Sequence, residues 1–125
     1  MFCLVKILGG RINQGEPMYL PKRASDDFGV GQALTLKEGH LTQCGPTETP
    51  TYLCCGVAKG ESLPVYAVAQ DMIFECPLTG DKTALQLGDK VTLAEDGMGV
   101  SDVTASGVAE ILDLGEGDGG VFVKF

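Results

Sequence analysis

Residues 88–112, GDKVTLAEDGMGVSDVTASGVAEIL, decide the fold class. Apolar and polar residues alternate there in short runs. Asp96-Gly97 is the strongest hairpin signal in the chain, and Gly99 and Gly107 punctuate the residues after it. In KVTLAE, Val91 and Leu93 share one face of a strand and Thr92 takes the other. The stretch contains no histidine, cysteine or arginine and a single lysine, so it reads as scaffold rather than as a place for chemistry.

The same signs continue outward. GEGDGG (115–120) turns the chain into VFVKF, where Val121, Val123 and Phe125 face one way and Phe122 and Lys124 the other. Upstream, PLTGDKTALQLGD (77–89) is turn-rich. VYAVAQDMIFEC (65–76) reads as one long strand, or as two with a bulge near Gln70–Asp71. GPTETP (45–50) and KGESLP (59–64) break the chain around TYLCCGVA. VGQALTL and HLTQC flank KEG, a hairpin with Gly39 at its turn. No 11-residue window shows the apolar spacing and caps of a helix. The expectation is an all-β domain over residues 28–125: a small β-barrel or sandwich of about eight to ten short antiparallel strands.

Residues 1–27 differ in character. The apolar start MFCLVKILGG runs into RINQGEPMYLPKRASDD, which carries two prolines and no helical period. They predict an extended N-terminal arm, or a first strand plus a loop. As an arm, its anchors onto a partner are Phe2, Leu4, Val5, Ile7 and Leu8. The apolar start is about eight residues long and interrupted by Lys6, so it does not read as a signal peptide, and no run approaches the ~18 residues of a membrane span.

Composition bounds the rest. At 125 residues and 44% hydrophobic, the chain can bury one domain's core, built without Trp from Val, Leu, Ile, Ala and a few Phe. Eighteen glycines, roughly twice the usual share, fit many turns. The net charge of −8 argues against nucleic acid and against anionic membrane as partners. Cysteines at 3, 44, 54, 55 and 76 are odd in number and lack CxxC spacing, which fits reduced, buried thiols.

Chemistry finds little footing. His40, the single histidine, comes just after a turn, and in a strand it stands roughly 13 Å from Cys44, too far for a dyad. The vicinal Cys54-Cys55 pair points to opposite faces of a strand and makes a poor zinc corner. The acidic loop DLGEGDGG (113–120) has oxygen ligands for calcium but lacks EF-hand spacing, and no helix comes after it to make a phosphate cradle. Asp26-Asp27 and Glu95-Asp96 are adjacent acids at loops, where solvated carboxylates are the rule. No catalytic, cofactor or metal residue is therefore expected, and function should lie in surfaces.

Gly88-Asp89-Lys90-Val91, Asp96-Gly97, Gly107-Val108-Ala109 and Val121-Phe122-Val123 together carry a resemblance over residues 63–125. Their order resembles the C-terminal half of the capsid decoration, or head-stabilising, proteins of tailed phages and prophages. The resemblance implies a non-enzymatic virion protein without cofactor. It implies self-association, commonly as a homotrimer, and binding to the major capsid protein at the virion surface. It implies a place at the virion surface or, for a prophage-encoded protein, in the bacterial cytoplasm. The alternative is a small-ligand or carbohydrate-binding β module, for which Tyr19, Tyr52, Tyr66 and five Phe are the aromatic stock. An enzyme acting through a cysteine is a third class, separable by thiol-reactive probes.

Overall fold

A computed structural model describes residues 1–8, 16–116 and 120–125. Among these, the chain is all-β: twelve strands, one 3-10 turn over Lys82–Ala84 and no α-helix. No helix is long and apolar enough to cross a membrane. The strands are β1 (Cys3–Ile7), β2 (Met18–Pro21), β3 (Ala33–Lys37), β4 (His40–Gln43), β5 (Tyr52–Cys54) and β6 (Ser62–Ala67). They continue as β7 (Met72–Cys76), β8 (Leu78–Thr79), β9 (Lys90–Val91), β10 (Val100–Ser101), β11 (Ala109–Asp113) and β12 (Val121–Lys124).

Two five-stranded sheets carry the architecture, in the orders β1-β7-β12-β11-β9 and β2-β6-β5-β3-β4. Pairing within both is antiparallel, whereas β8 and β10 form a separate parallel pair. Neither large sheet closes into a barrel; the ends of the second are linked by one isolated bridge, Lys22 to Leu41. The strands exceed the expected eight to ten because the turn-rich stretch from 77 to 101 contributes three strands of two residues each.

The period-two rule explains how both sheets are buried. In the second sheet Ala33, Leu53 and Tyr66 point toward Phe74, Ile111, Val121 and Val123 of the first sheet and share one core with them. Their sequence neighbours Leu34, Cys54 and Val65 point the other way, with Leu63 and Leu41, into a second core covered by Leu20, Phe28 and Ala58. The second sheet is thus a wall between two cores. This is why ALT in β3 and LPVY in β6 are buried at successive positions.

Three sequence expectations change. The 65–76 stretch is neither one strand nor a bulged pair. It turns a corner between sheets, Met72 N donating to Ala69 O at 3.1 Å, so β6 and β7 lie in different layers. KGESLP breaks the chain only as far as Glu61, at the turn closed by Lys59 and Ser62, because β6 starts at Ser62 and includes Pro64. Pro64 accepts from Cys55 N at 3.0 Å just past the end of β5, where its missing N–H leaves no ladder partner short.

The described residues of 1–27 are not a free arm: β1 is the first strand that the alternative expected, and Met18–Pro21 is a strand where a loop was expected. β1 pairs with β7 and β2 with β6, each at a sheet edge. Phe2 is 2% exposed, edge-on to Phe74 at 6.3 Å and Phe125 at 5.5 Å. It is an internal residue, not a partner anchor. Leu4 and Ile7 pack partly against the same core, which leaves Val5 and Leu8 as the exposed members of the five.

Candidate functional site

An open groove of about 700 Å³ lies between the loop after β4 and the segment 92–105. Sequence chemistry builds each wall. Leu93 and Val100 bridge across the Asp96-Gly97 turn, and Ala94 N donates to Gly99 O at 2.9 Å. Gly97 there has φ of 68°, which is why glycine serves at that corner. Thr92 turns from the core face, bonds the Ser101 hydroxyl at 2.7 Å and gives its N–H to Val103 O at 2.9 Å. Leu93 N donates to Pro46 O at 2.9 Å and so ties the two walls together.

The opposite wall is clasped by Glu48. Its Oε1 accepts from Lys37 Nζ and from Gly45 N, both at 2.9 Å. The Lys37 hydrogen bond, joined by that of Gly45, holds the Glu48 carboxyl below the usual carboxylate range. Gln43 Nε2 donates to Glu95 O and fastens the rim to β4. The groove surface is Leu93, Val103 and Ala105 with the hydroxyls of Thr47 and Thr92, and Glu95 and Asp96 stand at it. No cation and no aromatic ring lines it. Reading the sequence as scaffold missed this feature; the cluster of small and hydroxyl residues in SDVTAS, beside acids and far along the chain from PTETP, was its only trace.

A second surface is the N-terminal edge. Met1, Val5 and Leu8 stand exposed in and beside β1, whereas the exposed Met18 and Tyr19 belong to β2 at the edge of the other sheet. Lys6 lies between Val5 and Leu8 and is exposed as well. β1 has a neighbour, β7, on one side only.

The remaining candidates fall apart as reactive centres. His40 heads β4, and its Nδ1 lies 3.2 Å from Glu38 O at the turn. All five cysteines are free thiols. Burial pushes Cys44 and Cys76 up to about 12, and raises Cys54 and Cys55 as well. Thiols in that state are protonated at neutral pH and are poor nucleophiles. Cys54 sits in one core and Cys55 against the other, as opposite faces of one strand require. Among the described residues, no three His, Cys, Asp or Glu side chains converge on a metal position. The 113–120 loop lies partly outside the described residues.

Comparison with protein-family models, with curated proteins and with solved structures returned no match.

Proposed function

We propose that the protein is a non-enzymatic structural protein, one that decorates and stabilises a phage or prophage capsid by self-association and by binding the shell's major capsid protein. One observation carries this reading: the residues that bear the family resemblance are the ones on which the strands depend. Gly88, with φ of 92°, leads into β9, and Gly97 makes the hairpin turn. Gly107 leads into β11, with its Cα against the Lys90 carbonyl, where a Cβ would come to 2.1 Å. Val121 and Val123 of β12 are both fully buried. Each of these positions does a structural job in this fold. The groove favours no sugar, since it offers no ring for stacking.

The test is absolute mass by light scattering, then co-sedimentation with empty shells assembled from the major capsid protein encoded with it. A defined oligomer that pellets with the shells supports the proposal. A monomer that stays in the supernatant overturns it. Deleting residues 1–27 is not a usable control, because it removes Phe2 and an edge strand from each sheet. Surface substitutions at Val5 and Leu8 take its place.

A further inference from the structure

One wall of the groove has no ladder of its own. Residues 45–50 lie between β4 and β5 and belong to no strand, yet Pro46 and Thr47 line the groove. Glu48, behind them, gathers the bonds that shape this turn. Its carboxylate accepts from Lys37 Nζ and from Gly45 N, its backbone N–H donates to Gly45 O at 3.1 Å, and its carbonyl accepts from Cys44 Sγ at 3.1 Å. Within the turn so closed, Pro46 O takes the Leu93 N–H of the opposite wall. Gly45 is not among the glycines with positive φ. Its missing side chain serves the carboxylate instead, since a Cβ there would come 2.7 Å from Glu48 Oε1.

We propose that the Glu48 carboxylate is an acid-sensitive latch: ionised, it holds the Pro46–Thr47 wall against Leu93, and protonated, it lets that wall part. The Lys37–Glu48 pair alone is exposed and worth little; the latch comes from one oxygen taking the Gly45 amide as well. Protonation removes the charge that both N–H groups answer to, and charge-assisted bonds become ordinary ones. Lys37 of β3 and the Cys44 thiol are the charged and titratable groups that reach Glu48. His40 stands opposite Lys37 in the β3–β4 register, and Glu95 and Asp96 stand at the far wall. Because its bonds hold the carboxyl below its ordinary 4.5, the latch is closed at neutral pH and opens as pH falls below that value. It needs no partner, so it acts whatever the protein binds.

The test is amide hydrogen exchange read residue by residue, as protection relative to an unstructured peptide at the same pH. From about pH 6 to about pH 3, protection of the Gly45 and Leu93 amides should fall by about fivefold or more. The Ile111 amide, bonded to Asp89 O at 2.8 Å in the other sheet, should keep its protection. Glu48→Ala should show the low Leu93 protection already at pH 6, as should Gly45→Ala, whose methyl displaces the carboxylate without removing it. The native titration should recur in His40→Gln. Leu93 protection unchanged at pH 6 in both Glu48→Ala and Gly45→Ala overturns the latch. So does a native chain protected down to pH 3, a fall that His40→Gln abolishes, or an equal fall at Ile111, which marks unfolding of the whole chain. Release of Gly45 while Leu93 holds confines Glu48 to its own turn and overturns release of the wall.

Discussion

Gly107 sits where no side chain fits: a Cβ built there would come 2.1 Å from the Lys90 carbonyl and 2.6 Å from Val91 N, both backbone atoms that cannot step aside. Gly39 is the contrasting case, with φ of 82° but open space around the added carbon. Gly107→Ala should therefore lose about 1–3 kcal/mol through overpacking, and Gly39→Ala about 1 kcal/mol through backbone conformation alone. Urea unfolding of the two variants checks the order. Buried protons give a second residue-scale prediction. Cys44 and Cys76 rise from 9.0, and Tyr66 from 10.0, to about 12, chiefly by burial. Between pH 9 and 12 the unfolded chain releases protons that the folded chain still holds, so stability falls as pH rises; below pH 9 the contribution is fully present. The urea midpoint should fall across that window, and the fall should be shallower in Cys44→Ala. At pH 8, alkylation and then mass analysis should leave Cys44, Cys54 and Cys76 unmodified until denaturant is added. At this scale the sequence was a good guide. Three of the five thiols expected to be buried are so, and the Gly39 and Asp96-Gly97 turns and the shared face of Val91 and Leu93 were legible, because each depends on neighbours within a few residues.

At the scale of the element, β1 separates two roles within one short strand and the residue before it. Phe2 contacts Phe74 and Phe125 inside the core, whereas Val5 faces outward. Phe2→Ala should cost about 3–5 kcal/mol of unfolding free energy. Val5→Asp should change stability by no more than about 0.5 kcal/mol, while weakening association if the edge is an interface. Equilibrium unfolding paired with light scattering separates the two effects; equal losses of stability would show that the edge has no surface role. The sequence could not apportion these residues. MFCLVKIL has no clean alternation, since the register shifts between Leu4 and Lys6, and the partner that buries it, β7, lies some seventy residues along the chain. Pro64 misled for a related reason. Whether a proline interrupts a ladder depends on where the neighbouring strand stops, and β5 stops at Cys54.

At the scale of the whole molecule, an all-β chain was readable from the spacing of its turns, but the allocation of strands to layers was not. β1 must find β7 and β2 must find β6 across some seventy and forty residues of chain, so refolding should be slow, on the order of milliseconds to seconds. Stopped-flow fluorescence from the tyrosines would measure it, and a microsecond phase carrying the full amplitude would contradict it. The groove left little more than SDVTAS as a trace in the sequence, because its walls come from residues about fifty positions apart, joined by the Leu93–Pro46 hydrogen bond. The wall between the two cores has a consequence of another kind. Most sheets leave one face free to vary, but Leu34, Cys54 and Val65 answer to one packing environment and Ala33, Leu53 and Tyr66 to another. In a library of all single substitutions selected for folded protein, β3, β5 and β6 should accept the fewest replacements of any strands. Their positions are read twice, once from each side, and hold little room for drift.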